Sequence, residues 1–193
     1  MVSPSEGKEY VYPVREDTFL LLEAARKEIH PTDRVLEVGA GSGYIVEQIQ
    51  GDCRSILATD INPHAVRMVR EKGIDVLRTD LIAGICGRFD LVLFNPPYLP
   101  TRPDERIDDW LEYALDGGLS GREVIVRFAA QVERLLAPEG RILLLVSSLT
   151  GPEEVKRIFD GKGMDGQVIS ETFLEGERLL VYRFWRKTTV PET

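Results

Sequence analysis

The sequence predicts a three-layer α/β fold in which a mainly parallel, seven-stranded sheet is covered by helices and finished by an antiparallel hairpin. Three observations carry the prediction. Short apolar runs at 34–38, 55–59, 75–78, 89–94 and 141–146 alternate with helical stretches, as strands joined by crossover helices do. The last two strand-like segments, 167–171 and 178–185, are separated by a short turn containing Gly176. That is too little chain for a crossover, so they must pair antiparallel at one side of the sheet. Finally, 193 residues amount to about 1.3 typical domains, which gives one compact domain over 11–187 with flexible ends at 1–10 and 188–193.

Each element has a local cause. Tyr10-Val11-Tyr12-Pro13 opens the ordered chain, and Glu16 or Asp17 caps a helix to about residue 26 whose apolar contacts are Phe19, Leu20, Leu22 and Ala24. After the turn His30-Pro31-Thr32-Asp33, the first strand runs straight into Gly39-Ala40-Gly41-Ser42-Gly43 and a short helix at 44–49. The second strand delivers Asp60. Asn62 followed by Pro63 is a cap plus first-turn proline for a helix to about Lys72 that buries Val66 and Val69, and Gly73 stops it. The third strand ends at Asp80, and the fourth, 89–94, is apolar enough to be central. Beyond it the chain is irregular to about Gly121, a long loop past a central strand's carboxyl end, where open α/β sheets keep their sites. Ile125, Phe128, Val132, Leu135 and Leu136 place a helix at 122–136, Pro138-Glu139-Gly140 turns into the fifth strand, and 152–159 is helical.

Composition narrows the function. Lys and Arg number 24 against 32 Asp and Glu, a formal charge of −8, and 43% of residues are hydrophobic. Such a chain is globular rather than disordered, and it repels phosphate backbones at long range. A protein, a small molecule or a basic partner fits better than nucleic acid. The two cysteines, Cys53 and Cys86, write neither a disulfide framework nor a zinc site, so no metal is expected in this chain. Neither the amino-terminal segment nor any later apolar run suits a signal peptide or a membrane span, so a cytoplasmic protein is expected.

Gly39, Gly41 and Gly43 sit between a strand and a helix, where the backbone must turn tightly and approach a ligand without side chains in the way. The dinucleotide fingerprint is G-x-G-x-x-G; here the third glycine comes one residue early and Glu37 stands just ahead of the loop. Asp60 closes the next strand, where an acid can accept both hydroxyls of a ribose, and Asp80 closes the one after. Three acids at three neighbouring strand ends would repel a pyrophosphate and welcome a cationic nucleoside. S-adenosylmethionine has those properties; a nicotinamide cofactor and plain loop glycines with surface acids are the competing readings.

Asn95-Pro96-Pro97-Tyr98 follows the fourth strand, beside the glycine loop. A planar amide or exocyclic NH2 is a poor nucleophile because its lone pair is delocalised. An enzyme must hold its two N–H groups on two acceptors and leave the lone pair facing a methyl donor, a task of orientation. Asn95 Oδ1 and the Pro96 carbonyl can be those acceptors, the paired prolines fix the backbone, and Tyr98 offers a flat face.

These segments resemble class I S-adenosylmethionine-dependent methyltransferases, and among them the HemK-like glutamine methyltransferases of peptide-chain release factors, in their archaeal and eukaryotic branch. The resemblance runs from Val11-Tyr12 through Glu16-Asp17-Thr18-Phe19-Leu20-Leu21-Leu22, the glycine loop, Thr59-Asp60-Ile61-Asn62-Pro63, Thr79-Asp80-Leu81 and Phe94-Asn95-Pro96-Pro97-Tyr98 to Gly117-Gly118-Leu119-Ser120-Gly121-Arg122-Glu123. It implies a Rossmann-like methyltransferase fold with S-adenosylmethionine as methyl donor. Thr18 would lie near the donor's methionine end, with Glu37, Gly39 and Gly41 lining it, Asp60 on the ribose, and Asp80 with Leu81 at the adenine. Asn95 would serve donor and target alike, while Asn95, Pro96, Pro97 and Tyr98 hold the target glutamine of a Gly-Gly-Gln segment. It further implies a small zinc-binding, Trm112-like activator protein as heterodimer partner. Bacterial relatives carry an extra helical amino-terminal domain, and this chain is expected to start too close to its core for one. One departure stands out: the family places proline two residues before the acid of the E-D-T segment, whereas Pro13 lies three before Glu16, which bears on the path of the pocket lid.

An amino-methyltransferase acting on adenine N6 of DNA or RNA is the alternative, because that amine presents the same planar NH2; it would require a flipped or unpaired base. A non-catalytic scaffold is disfavoured by the intact glycines, ribose acid and asparagine. His30 and His64 read as a turn residue and a helix-start residue. Asp104, Glu105, Asp108, Asp109 and Glu112 form an acidic run read as a solvated face or as a surface for a basic partner, with Arg102 and Arg106 available to pair within it. Trp110 and Tyr113 could anchor that loop or cover a bound peptide.

Overall fold

A computed structural model describes residues 10–102, 104, 109–174 and 176–188. The flexible ends expected at 1–10 and 188–193, and Glu105, Arg106 and Asp108 of the acidic run, fall outside these residues apart from Tyr10 and Thr188. In chain order the elements are α1 (Glu16–Glu28), β1 (Arg34–Val38), α2 (Tyr44–Ile49), β2 (Ser55–Asp60), α3 (Pro63–Glu71), β3 (Val76–Arg78), β4 (Phe89–Phe94), α4 (Trp110–Tyr113), α5 (Glu123–Val132), β5 (Leu136–Ser147), α6 (Pro152–Asp160), β6 (Met164–Leu174) and β7 (Glu177–Arg186). The seven strands form one sheet in the order β3-β2-β1-β4-β5-β7-β6. β1, β2, β3, β4 and β5 pair in parallel, and β7 is antiparallel to both β5 and β6. Among the described residues no helix is long and apolar enough to cross a membrane.

The apolar runs are continuous because both faces of the sheet are covered. Along β1 and β4, Leu36, Val38, Val92 and Phe94 face a core built with Phe128 of α5 and Phe159 of α6. The alternate residues Val35, Leu91 and Leu93 face Leu20, Leu21 and Ala25 of α1 with Ile45 and Ile49 of α2. This period of two is what a strand with two buried faces requires. At the bottom of the sheet Arg141 of β5 donates to the Asp33 carboxylate at 2.7 Å, to the Asp90 carbonyl at 3.0 Å and to the Glu28 carbonyl. Glu28 also pairs with Arg183 of β7 at 3.1 Å. The carboxyl end of α1 is thereby tied to two strands, which sets where its amino end projects.

Several local expectations are corrected. The cap of α1 is Arg15, not Asp17 or Glu16; Asp17 lies inside the first turn and is buried. Phe19 is 47% exposed and meets the Tyr44 ring edge-on rather than joining the core. The helix expected over 122–136 ends at Val132, a 3-10 turn covers Glu133–Leu135, and Leu136 already begins β5. Leu136 pairs with Phe89 across a register shift, so the apolar spacing extended past the point where the sheet captures the chain. The loop after β4 is also less irregular than expected. It returns on itself through Leu99 N to the Leu115 carbonyl at 3.1 Å and Gly117 N to the Leu99 carbonyl at 2.9 Å, and it contains α4.

The third glycine of the loop is required by packing against α3. Gly43 has φ +71°, and a Cβ there would lie 2.8 Å from Val69 Cγ2 on α3. Gly43→Ala is therefore expected to lower stability by about 2–4 kcal/mol, combining a left-handed backbone penalty with overpacking. Chemical denaturation reads this directly, and a change below about 0.5 kcal/mol would show that α3 yields freely.

Candidate active site

β1 and β4 are neighbours at the place where the strand order reverses, the position at which open α/β sheets form a crevice beyond their carboxyl ends. Val38 is in register with Phe94, so Gly39 and Asn95 leave the sheet side by side. The cleft above them has a volume of about 1170 Å³. That exceeds the roughly 300–1,000 Å³ of an ordinary small-molecule site, as suits a site for two reactants. Every residue singled out for donor or target lines this one cleft: Thr18, Glu37, Gly39, Gly41, Asp60, Asp80, Leu81, Asn95, Pro96, Pro97 and Tyr98.

The glycine-loop side is acidic and preorganised. Glu37, only 4% exposed, accepts from Val46 N at 3.2 Å. Burial, opposed by that hydrogen bond and assisted by the Asp60 charge, pushes its carboxyl up to about 8. Asp60 accepts from Gly41 N and Asn62 N, both at 2.8 Å, so its carboxylate braces the loop as well as facing the cleft. Burial raises it above the ordinary carboxylate range, and the Asn62 and Gly41 bonds oppose the rise. Gly41 has φ +53°, a left-handed backbone that favours glycine, with open space where a Cβ would stand. Leu81 has φ +51°, alone among the described non-glycine residues in having a positive φ. The third acid differs from expectation: Asp80 is half-exposed and paired with Arg127 of α5, so its charge is already met.

The opposite wall holds Asn95. Asn95 Nδ2 donates to Asp17 Oδ2 at 3.1 Å, while Asn95 Oδ1 is buried and has no hydrogen-bond partner among the described residues. An unmet buried acceptor costs roughly 1–3 kcal/mol, which an incoming N–H would recover. Tyr12 and Tyr98 flank this corner. Burial first, then the charges of Asp17 and Glu177, hold both phenols well above their usual range, so both stay neutral. Residues 11–15 run along the cleft wall into α1 despite the displaced proline.

Sequence reasoning missed Asp17 as a site residue, along with Glu177 and Arg127. Glu177 arrives from β7, where Ser147 Oγ donates to its carboxylate at 2.5 Å; only the antiparallel pairing of β5 with β7 brings it there. Arg127 sits on the exposed side of an amphipathic helix and carries no local signal. The loop after β4 contributes Trp110 and Tyr113, whose rings lie 5.4 Å apart, and Arg78 of β3 lies over Trp110 at 5.7 Å. His64 stacks on Tyr10 at 4.9 Å, outside the cleft lining. Among the described residues, eight carboxyl side chains and two guanidinium groups line the cleft. That donor set fits a cationic nucleoside and does not fit a pyrophosphate.

The chain resembles known proteins over most of its length. Residues 14–107 match the family model of the methyltransferase small domain. A Methanocaldococcus jannaschii protein assigned as a protein N5-glutamine methyltransferase is 37% identical over 183 residues, covering 91% of this chain and 92% of its own. Human methyltransferase HEMK2 is 37% identical over 190 residues, covering 90% and 89%. Among solved structures, a chain of the E. cuniculi Mtq2–Trm112 complex, responsible for methylation of the eRF1 translation termination factor, superposes with a TM-score of 0.77. It is 30% identical and covers 92% of this chain and 99% of that one. With the acid-rimmed glycine loop and the Asn95 corner, this likeness over nearly the whole length means that the chain belongs to the HemK-like family of S-adenosylmethionine-dependent methyltransferases.

Proposed function

We propose that the chain, with residues 11–187 as one catalytic domain, methylates the side-chain amide nitrogen of the glutamine in a Gly-Gly-Gln segment of a peptide-chain release factor, in the cytoplasm. The observation that carries this reading is the unpartnered, buried Asn95 Oδ1 in a cleft large enough for two reactants. The names of the M. jannaschii relative and of the E. cuniculi complex support the same substrate class. S-adenosylmethionine, when bound, supplies the electrophilic methyl group. Asn95 Oδ1 and the Pro96 carbonyl each accept one N–H of the target amide, which turns its lone-pair face toward the glycine loop. Orientation of this kind supplies most of the acceleration available for a weak nucleophile. Glu37 and Asp60 hold the donor's ammonium and ribose, Thr18 and Gly39 border its methionine end, and Leu81 with Asp80 border its adenine. Tyr98 and Pro97 wall the target side and exclude water.

The partner in this reading is a small zinc-binding protein of the Trm112 type, forming a 1:1 heterodimer by adding a strand to β3. β3 is three residues long and lies at a sheet edge. Ile74 and Val76 are buried in the core, leaving Leu77, 49% exposed, and the backbone edge for the partner. Strand addition draws on such unpaired edges, and the E. cuniculi complex supports a partner of the Trm112 type.

Incubating release factor, DNA and RNA with labelled donor and locating the methyl by mass spectrometry should place it on the Gly-Gly-Gln glutamine; label only at adenine N6 would favour the nucleic-acid alternative instead. Asp60→Ala should weaken donor binding by roughly 1.5–3 kcal/mol, on the order of 10- to 100-fold in Kd, through lost charge-assisted bonds and a loosened loop. Asn95→Ala should leave donor Kd within a few-fold while cutting single-turnover methyl transfer by about two orders of magnitude or more; full turnover in that variant would remove Asn95 from its role. Amide hydrogen exchange with and without the activator should show new protection across residues 74–80, and unchanged protection in a demonstrated complex would exclude this edge.

A further inference from the structure

Asn95 has two ends that differ in kind, an acceptor oxygen and a donor NH2, and rotating the carboxamide by 180° exchanges them with almost no change of shape. Which end meets the target decides whether the site can hold an N–H at all. Nothing in the Asn-Pro-Pro-Tyr segment fixes that choice. The structure fixes it from α1. Asp17, 3% exposed, sits in the first turn of the helix, where its Oδ1 accepts from Thr18 N at 2.6 Å and from Thr18 Oγ1 at 3.2 Å. Its Oδ2 is left facing Asn95 at 3.1 Å. An ionised carboxylate only accepts, so Nδ2 is the end of the amide that can face it. The positive end of a helix favours the carboxylate there.

We infer that Asp17 is a positioning residue: by taking the Nδ2 of Asn95 it makes Oδ1 the atom presented to the target amide, an inference that rests on Asn95 being the acceptor for the target N–H. Asp17 touches neither reactant in this role. It acts by breaking the near-symmetry of the carboxamide, at a position 78 residues away in the chain from the side chain it orients.

The decisive variant is Asp17→Asn, which keeps the shape. Its single side-chain oxygen stays with Thr18 N, so its NH2 faces Asn95, turns that amide over and presents a donor to the target. With a release-factor domain carrying Gly-Gly-Gln as substrate and the zinc-binding activator present, kcat should fall about 100-fold or more while donor Kd changes less than threefold. The swapped pair, Asp17→Asn with Asn95→Asp, restores an acceptor on the target side and should recover at least tenfold of the lost kcat. A purely structural role predicts no such recovery. One spectrum needs no acceptor substrate: in 15N-labelled protein the Asn95 carboxamide signal, identified by its loss in Asn95→Asp, should shift upfield in Asp17→Asn as a charged acceptor is lost. That arm holds even where the wild-type chain proves to methylate adenine rather than glutamine, a result that would overturn the proposed substrate alone. The inference is overturned if Asp17→Asn keeps kcat within threefold of wild type, if its donor binding and kcat fall in parallel, if the swapped pair is no faster than Asp17→Asn, or if the Asn95 signal does not move.

Discussion

Residues Val35 to Val38 lie in parallel register with Leu91 to Phe94, and because the strand order turns back between these two strands, no crossover helix covers the space above their carboxyl ends. Both site loops leave from this seam. Gly39 starts one and Asn95 the other, one residue beyond a matched pair of strand ends. The pairing is stiff because each strand is buried on two faces, so displacing either loop means shifting core side chains as well. The third wall, α1, is set by an ionic anchor at the opposite end of the sheet, where Arg141 holds Asp33 and Glu28. With its carboxyl end fixed there, the helix delivers Asp17 and Thr18 to the seam at its amino end.

The acids of the glycine loop work against the stability of the free protein. Glu37 titrates near 8 instead of its ordinary 4.5. Between those values the folded chain holds a proton that the unfolded chain has released, so this residue's contribution to stability falls as pH rises through the window and levels off above it. A cation beside Glu37 reverses the effect by favouring the charged form. The destabilising carboxyl is therefore a preference for a cationic ligand built into the fold. Asp60 follows the same logic with a difference: two backbone N–H groups already brace it, so its carboxylate is the strut of the loop as well as part of the cleft wall.

Legibility in the sequence followed the range of the interaction. The strands, the Asn62-Pro63 helix start and the two site loops were readable because each depends on neighbours within a few residues. Asn95 and Asp60 were readable for the same reason, since each sits at a strand end announced by its own apolar run. Asp17 was visible only as a helix cap, although Arg15 takes that place; its partner is far along the chain, and no periodicity records such a contact. Glu177 enters through an antiparallel pairing, and the Arg127 ion pair with Asp80 through helix packing. Gly43 shows the converse. It stood in the ligand motif yet answers to Val69 on α3, so a spacing that looked chemical at that position is a packing constraint.

The Asn95 corner by itself does not distinguish a glutamine amide from an adenine amine, since both offer two N–H groups in a plane. Discrimination must come from what surrounds the reacting nitrogen. An adenine arrives with phosphates on both sides, and among the described residues the cleft presents eight carboxyl groups against two guanidinium groups, of which Arg127 is already paired. Glu112 and Asp116 from the loop after β4 and Glu177 from β7 all line this cleft. Desolvating phosphates against them would cost far more than the roughly 1–3 kcal/mol gained at one satisfied amide acceptor. A Gly-Gly-Gln segment brings no charge and two residues without side chains, so its glutamine can enter between these carboxylates without meeting repulsion. The acidity that the composition shows for the whole chain is thus strong at this cleft, where it favours a neutral, slender target over one that carries phosphates.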